Sequence, residues 1–258
     1  MAAHSNIETR RAMSADILSQ KGFMSLAELA SAIGVSESTA RRDLEALERQ
    51  GTVTRTHGGA VYVKSSPTHS LAFADRQTTA VAEKEAIARA VAELIPSGQT
   101  VILNGGTTCC QVARAIQGRH LNVITNSVPI GSLLSADLAT EVTLIGGYVY
   151  PRTGVALGAM AEQQIAGLHA TQLIFSSAGV TDQEAFNANQ MMVDVERRMM
   201  DIAEKIILVA DHTKFGMRSV VKLCDLNEVD VIVTDSGADA ETLKRLKESG
   251  PKVIVAEL

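Results

Sequence analysis

Seven short apolar segments constrain the fold of this 258-residue chain more than any other feature. All lie beyond residue 99 and have the length of single buried strands: 100–103, 121–125, 141–145, 173–176, 205–210, 229–234 and 252–256. Helix-like stretches are expected at 71–94, as one long helix or two, and at 107–117, 128–135 and 193–203. Strands buried on both faces and alternating with helices are typical of a parallel sheet covered on both sides. The sequence therefore predicts a mostly parallel α/β unit over residues 71–258.

Residues 5–62 show a different pattern, with helices first and short β-rich pieces after them. A first helix is expected over 7–20. Ser25 and Glu28 have the spacing of a capping box for a second helix, which ends at Gly34. A third helix follows Ser36, and two β-rich pieces around a Gly-Gly pair are typical of a hairpin. This order predicts a winged helix-turn-helix.

The third helix carries hydroxyls and two adjacent arginines in its first turns. Such groups hold phosphates and base edges when a recognition helix lies in the major groove of DNA. The arginines could instead pair with Glu37 and Glu45 at helical spacing, and the hairpin residues could simply be solvated. The candidate DNA-binding residues are Ser36, Ser38, Thr39, Arg41, Arg42, Arg55 and His57.

The charge distribution favours two units of which only the first contacts DNA. The net charge is −5, yet residues 1–62 hold seven Lys/Arg and seven Asp/Glu, so the remainder carries the whole −5. Phosphate contacts are local, and a neutral unit binds DNA if its cations share one face. The polar segment 63–70, which contains Pro67, is expected to be the linker.

The amino-acid composition disfavours several other classes of protein. A hydrophobic content of 46% suffices for a packed core, and no apolar run approaches the ~20 residues of a membrane span. The N-terminus lacks the pattern of a signal peptide, so a cytoplasmic location is expected. The histidines are scattered, and neither a metal nor a cofactor is predicted. Cys109-Cys110 could be a redox pair at a helix start, but two small buried side chains are the favoured interpretation.

Polar loops follow several of the expected strands, where open α/β sheets bind ligands. The segment Asn104, Gly105, Gly106, Thr107 and Thr108 joins a strand to a helix and would form an anion nest, although it could be only a tight turn. Lys214 could bind a ligand or pair with Asp211 or Asp235. The other candidate effector-binding residues are Thr125, Asn126, Ser127, Gly146 and Gly147. Amides, hydroxyls and a lysine together suit a phosphorylated, hydroxyl-rich small molecule.

The motifs of both units resemble one family. Residues 36–44, Gly51 and 55–60 resemble the winged helix-turn-helix of the DeoR family of bacterial transcriptional regulators. Residues 104–108, 125–127, 146–147, 210–211 and 214–216 resemble its effector domain, which is similar in fold to ribose-5-phosphate isomerase. The resemblance covers residues 5–258. It implies a sugar-phosphate sensor that alters DNA binding, usually by releasing a repressor.

The chain departs from the resembled family at two positions. The family usually has Asp where this chain has Asn104, and often Lys where it has Glu196. The second departure reverses a charge near the expected pocket. These changes predict a ligand that is less anionic than usual, or one that is bound differently.

Two hypotheses follow from these patterns. The first is a repressor of a carbohydrate-utilisation operon, not an enzyme, that binds operator DNA and a phosphorylated sugar and has no membrane partner. A single helix-turn-helix contacts too little DNA for tight binding, so a dimer or tetramer is expected. The alternative is a sugar-phosphate isomerase with a fused DNA-binding unit, in which Asp182, Asp211 or Glu196 supplies the base. The neutral Asn104 and the lack of an acid–base pair disfavour the enzyme.

Overall fold

The computed structural model describes residues 10–11, 13–15, 17–18, 23–49, 52–56, 59–62 and 73–258. The chain forms two compact units, Met1–Leu71 and Ala72–Leu258. Within the described ranges, none of the helices has the length and apolar character that a membrane crossing requires.

The first unit is a small helical fold with a three-stranded sheet. Residues 10–11, 13–15 and 17–18 are helical; the rest of the helix expected over 7–20 lies outside the described residues. The remaining elements are β1 (Phe23–Ser25), α1 (Leu26–Ile33), α2 (Glu37–Arg49), β2 (Val53–Thr56) and β3 (Gly59–Tyr62). β3 pairs antiparallel with both β2 and β1, so the expected hairpin is confirmed and gains a third strand.

Local capping sets the turn between α1 and α2. The backbone N–H of Glu28 donates to Ser25 Oγ at 3.2 Å, and the Ser25 N–H donates to Glu28 Oε2 at 2.9 Å, which confirms the capping box. Gly34 ends α1 with φ of 68°, a left-handed conformation that costs glycine little. The Thr39 N–H then donates to Ser36 Oγ at 3.3 Å at the start of α2. The sequence thus specifies where α1 begins and ends and where α2 begins.

The second unit alternates helices and strands. Its helices are α3 (Phe73–Gln77), α4 (Val81–Glu93), α5 (Thr107–Ala115), α6 (Val128–Leu134), α7 (Ala159–Ile165), α8 (Gln190–Asp201) and α9 (Ala240–Glu248). The first six of its strands are β4 (Thr100–Leu103), β5 (Leu121–Thr125), β6 (Thr140–Leu144), β7 (Tyr148–Tyr150), β8 (Val155–Leu157) and β9 (Gln172–Phe175). The others are β10 (Gly179–Val180), β11 (Glu184–Asn187), β12 (Ile206–Val209), β13 (Val221–Asp225), β14 (Val231–Asp235) and β15 (Lys252–Ala256).

A seven-stranded sheet organises this unit. Its order is β15-β14-β12-β9-β4-β5-β6, and every neighbouring pair is parallel. These strands correspond to the seven apolar segments, so the predicted α/β class with a parallel sheet is confirmed. Buried residues of α4, α5 and α6 pack with Val101 and Leu103 of β4, whereas those of α7, α8 and α9 pack with Ile102. Alternation along β4 therefore fills two cores, one on each face.

The structure also contains elements that the sequence pattern did not reveal. β7 and β8 form an antiparallel hairpin, and β10, β11 and β13 form a second small sheet. Helices α7 and α9 were also missed. The stretch expected as one or two helices over 71–94 contains two, α3 and α4, in its described part.

Candidate DNA-binding surface and ligand site

Helix α2 has one buried and one exposed face. Ala40, Leu44 and Leu47 are buried in the core of the first unit. Ser36, Ser38, Arg41 and Arg42 are exposed and Thr39 is half-buried. The hydroxyls of Ser38 and Thr39 lie 2.9 and 3.0 Å from Ser36 Oγ, and Arg42 Nε donates to the Ser38 carbonyl at 3.3 Å. The helix therefore presents hydroxyls and guanidinium groups on one surface, as DNA contact requires.

A buried carboxylate fixes this helix to the N-terminal helical segment. Asp43 is 2% exposed and accepts hydrogen bonds from Arg10 Nε at 2.6 Å and from Arg11 Nε at 3.2 Å. No local sequence pattern indicates this role for Asp43. Since a partly buried, bidentate arginine–carboxylate pair is directional, it holds the orientation of α2 within the unit.

Two of the candidate DNA-binding residues are less fully described. Arg55 lies on β2 with its backbone paired to Ala60. His57 lies outside the described residues.

The candidate ligand loop lies where the strand order of the large sheet reverses. From β4 the chain proceeds through β5 to β6 on one side, and from β9 through β12, β14 and β15 on the other. The crevice between β4 and β9 is therefore a topological switch point, the usual ligand site of open α/β sheets. Asn104, Gly105 and Gly106 follow β4 at this point, and Thr107 begins α5.

Close packing explains the two glycines of this loop. A Cβ on Gly105 would lie 1.9 Å from Val155 Cγ1, and one on Gly106 would lie 2.3 Å from Ser176 Oγ. Gly106 also has φ of 142°. Any larger residue would push the loop away from β8 and from the end of β9, and with it the first amide groups of α5.

The side chain of Asn104 ties the loop to three neighbouring elements. Its Oδ1 accepts from the Ser176 N–H at 3.2 Å and from Cys109 Sγ at 3.3 Å. Its Nδ2 donates to Glu196 Oε1 at 2.9 Å. The two positions that depart from the resembled family are therefore in direct contact, although they lie 92 residues apart. Asn104 positions the loop through these bonds.

Glu196 is a buried acid held only by amide groups in these contacts. Asn187 Nδ2 donates to both of its oxygens, at 2.7 and 2.8 Å, in addition to the bond from Asn104. Burial raises the pKa of Glu196 to about 8, and the bonds from Asn187 and Asn104 oppose that rise. The charge reversal that the sequence suggested near the pocket is thus placed within a buried polar network.

The second strand-end segment braces the β7–β8 hairpin. Asn126 Nδ2 donates to the Ala156 carbonyl at 3.0 Å, and the Ala156 N–H donates back to the Asn126 carbonyl at 2.7 Å. Ser127 Oγ accepts from the Ile130 N–H, and the Ser127 N–H donates to Thr125 Oγ1 at 3.1 Å. Asn126 Oδ1 is buried and lacks a hydrogen-bond partner within the described residues.

Gly146 and Gly147 lie at the edge strand and contact α7. The Gly146 N–H donates to Gln164 Oε1 at 3.1 Å, and Gln164 Nε2 donates to the Gly146 carbonyl at 3.3 Å. A Cβ on Gly147 would lie 2.8 Å from the Leu157 carbonyl oxygen. These glycines serve packing in the structure, and their contact with a ligand stays a prediction.

Two lysines lie near one buried carboxylate, Asp211, and Arg76 lies near both lysines. Lys214 was predicted; Lys84 and Arg76 were missed. Lys84 Nζ donates to the carbonyls of Arg76, at 2.9 Å, and Thr79. Burial lowers the pKa of Lys84, Lys214 and Arg76; the charge of Asp211 opposes this for both lysines, and that of Arg76 adds to it. The sequence does contain a signal for Lys84, because this lysine lies on the apolar face of α4, at helical spacing from Ile87, Ala88 and Val91.

Asp211, in the loop after β12, and Asp235, at the end of β14, both accept hydrogen bonds. Asp211 is 1% exposed and accepts from the N–H of Thr213 at 3.2 Å and from its hydroxyl. Asp235 pairs with His212 instead of Lys214. The charge of Arg152, which follows β7, also lowers the pKa of Arg76.

The cysteines are buried, free thiols. Burial raises the pKa of Cys109, and it raises that of Cys110 to about 11. These raised pKa values do not fit a low-pKa redox pair, and the interpretation of the cysteines as small buried side chains is confirmed.

The fold and the two surfaces define a DNA-binding protein with a separate sensing unit. Residues 10–66 match the DeoR-like helix-turn-helix domain, and residues 79–236 match the DeoR C terminal sensor domain. The chain belongs to the DeoR family and is a DNA-binding transcriptional regulator.

The chain is similar to two repressors of known name and, in its fold, to one solved enzyme structure. The HTH-type transcriptional repressor CsqR of Escherichia coli (strain K12) is 34% identical over 245 residues, covering 93% of this chain and 92% of the relative. The glycerol-3-phosphate regulon repressor of the same strain is 31% identical over 238 residues, covering 90% and 92%. Ribose 5 phosphate isomerase A from Neisseria gonorrhoeae matches with a TM-score of 0.39 and 16% identity, over 52% of this chain and 53% of that one.

Proposed function

We propose that this chain represses a carbohydrate-utilisation operon and releases its operator when the second unit binds a sugar phosphate. The observation that carries the proposal is a group of three cations: Lys84 and Lys214 lie near Asp211, and Arg76 lies near both lysines. Bringing like charges together away from water costs free energy unless an anion joins them. A phosphomonoester carries about two negative charges at neutral pH, as phosphoamino acids do. A bound phosphomonoester would offset the cost of burying these cations and the repulsion among them.

Unpartnered buried atoms support a ligand that has both an anion and hydroxyls. Within the described residues, Arg76 Nε and Asn126 Oδ1 are buried and lack hydrogen-bond partners. Buried polar atoms are nearly always hydrogen-bonded, so each such atom requires an explanation. A phosphate oxygen would accept from Arg76 Nε, and a sugar hydroxyl would donate to Asn126 Oδ1. The anion nest of residues 104–108 supplies further donors at the start of α5.

A relative supports the same ligand class. The Escherichia coli glycerol-3-phosphate regulon repressor is named for a regulon of a phosphorylated polyol. The cations around Asp211 favour an ordinary phosphate ester over a weakly anionic ligand, whatever the departures at Asn104 and Glu196 change elsewhere.

We further propose that the two units have separate functions. Residues 5–62 contact DNA through Ser36, Ser38, Thr39, Arg41, Arg42, Arg55 and His57, and residues 63–70 join the units. Residues 71–258 bind the effector and assemble a cytoplasmic homo-oligomer, a dimer or tetramer. Two linked DNA-binding units raise each other's effective concentration, which tight operator binding requires.

Fluorescence anisotropy with DNA from upstream of the chain's own gene tests the DNA-binding surface. The full chain should bind a specific fragment, and Arg41→Ala with Arg42→Ala should abolish that binding, since each good base contact contributes about 1–3 kcal/mol. Arg89→Ala with Arg114→Ala, two exposed arginines of the second unit, is the charge-matched control. Equal loss in both double variants would contradict the assignment of α2 as the recognition helix.

A thermal-shift screen tests the effector class. Sugar phosphates, the corresponding free sugars and inorganic phosphate are compared on the full chain, because a specific ligand raises the midpoint by mass action. A phosphorylated sugar should stabilise the second unit and its free sugar should not. Stabilisation by the free sugar alone would contradict an anion site. The same panel in a coupled isomerase assay should give no turnover, and turnover would favour the enzyme.

A further inference from the structure

A histidine and a buried aspartate form a pair that the DNA-binding and anion sites do not use. Asp235 ends β14 and is fully buried. Its Oδ1 accepts from the His212 N–H at 2.8 Å, and its Oδ2 accepts from the Gly237 N–H at 2.9 Å. His212 Nδ1 lies 2.7 Å from the same Oδ2. The carboxylate thus faces two backbone donors and one ring nitrogen.

These bonds determine which ring nitrogen of His212 carries the proton. An ionised carboxylate only accepts hydrogen bonds, so Nδ1 must be the donor. In the neutral ring Nε2 then holds a lone pair and acts as an acceptor. The side chain is 34% exposed, and within the described residues the structure gives Nε2 no hydrogen-bond partner.

Gly237 makes room for this arrangement. A Cβ at that position would lie 2.5 Å from His212 Nδ1 and 2.7 Å from Asp235 Oδ2. Both distances are shorter than non-bonded contacts allow, so a larger residue would displace the ring or break its bond to Asp235. The pair is therefore assembled from three positions that the fold brings together.

His212 lies in the loop after β12 that also carries Lys214, at the carboxyl edge of the sheet. We infer that His212 recognises a hydroxyl group of the effector, whose proton its Nε2 accepts, while Asp235 holds the ring in the accepting tautomer. The inference rests on the proposed function, because it requires that a hydroxyl-bearing phosphate ester occupies this edge. His212 would then distinguish such an ester from inorganic phosphate.

Isothermal titration calorimetry on the full chain tests the inference, with inorganic phosphate, glycerol 3-phosphate, ribose 5-phosphate and glucose 6-phosphate as probes. The wild-type chain should bind at least one ester more tightly than inorganic phosphate. His212→Ala should reduce that preference about three- to tenfold, the value of one hydrogen bond, and leave phosphate affinity unchanged. Gly237→Ala should act in the same direction. His169→Ala, which alters an exposed histidine of the same unit, is the control.

Nitrogen-15 NMR of histidine-labelled chain provides a readout that a purely structural role would not change. In the neutral ring, the His212 proton should reside on Nδ1, and ester binding should shift the Nε2 resonance more than phosphate binding does.

Three results would overturn the inference. The first is an ester preference that His212→Ala leaves unchanged, and the second is a ring proton on Nε2. The third is wild-type chain that binds inorganic phosphate and every ester equally. Absence of any phosphate or ester binding would refute the proposed anion site itself, together with this inference, and is distinguishable from the other three.

Discussion

The contact between Asn104 and Glu196 leads to the sharpest prediction about stability. Asn104→Asp replaces an N–H donor by a carboxylate oxygen, 2.9 Å from Glu196 Oε1. Among the described residues, neither side chain has a cationic hydrogen-bond partner. The buried hydrogen bond is lost and two acids face each other. Removing one partner of a buried charged contact costs about 3–5 kcal/mol.

This cost should depend on pH, because two adjacent carboxyl groups can share one proton. Burial already raises the pKa of Glu196 to about 8. A second acid beside it would raise the affinity for that proton further. Asn104→Asp should therefore be tolerated best near pH 5–6 and be most destabilising at pH 8. For a unit of this size each kcal/mol lowers the melting midpoint by about 2–4 °C, so a loss on the order of 10 °C is expected at pH 8.

Differential scanning calorimetry of the full chain, followed through the transition of the second unit, measures the effect. Asn122→Asp is the matched control, since Asn122 is exposed on the neighbouring strand β5. Asn104→Asp combined with Glu196→Lys should recover most of the loss through an opposite-charge pair, with a coupling energy of about 0.5–3 kcal/mol. Equal midpoints for Asn104→Asp and Asn122→Asp at pH 8, or no recovery in the double variant, would refute the reasoning.

Three further predictions concern Glu196, Asp43 of the first unit and Lys84. Glu196→Gln should remove a pH dependence of stability: the pKa of Glu196 is raised from 4.5 to about 8 on folding, so its contribution is complete below pH 4.5 and is lost as the pH rises through about 8. Urea unfolding at pH 5 and pH 8 should show this slope in wild type only; an identical slope in the variant would contradict it. Asp43→Asn should destabilise the first unit by about 1–3 kcal/mol, since it weakens the bonds to Arg10 and Arg11; unchanged urea unfolding of that unit would argue against the bracing role. Lys84→Met should leave operator binding intact and raise the effector concentration needed for release, and an unchanged release midpoint would remove Lys84 from the ligand site.

The large sheet was predictable because its signal is local. Each of its seven strands is a short apolar run, and strands buried on both faces have that composition wherever they occur. The capping box of Ser25 and Glu28 was predictable for the same reason, since it involves residues three positions apart. Strand ends shifted by one or two residues, as at β6 and β14, because the last pairing depends on the neighbouring strand.

The small elements could not be predicted in the same way. The β7–β8 hairpin holds exposed Tyr148 and Val149, so its pattern lacks the alternation of a half-buried strand. β10 has only two residues, and β11 pairs both with β10 and with β13, which lies about 40 residues away. Their pairing is a property of the tertiary structure.

In the candidate site too, features with a local sequence signal were predictable and features that depend on distant contacts were not. The loop 104–108 was located by its glycines, and Lys214 by its place after a strand. The contact between Asn104 and Glu196 joins residues 92 positions apart, and neither residue type indicates the other. Lys84 did have a local signal, because a lysine on the apolar face of a helix requires an explanation. The pair of His212 and Asp235 could not be predicted from the sequence, because the two residues lie at the ends of different strands.

The central claim is that effector binding in the second unit releases DNA held by the first, which requires the effector to prefer the DNA-incompetent arrangement. The most direct measurement is the anisotropy of labelled operator on the full chain, titrated with the sugar phosphate that gives the largest thermal shift. Wild type should release the operator. Thr107→Val and Lys214→Ala should bind the operator normally and need roughly tenfold more effector, the loss expected for one hydrogen bond or charge contact. Release midpoints unchanged in both variants, or operator that stays bound at saturating effector, would contradict the account.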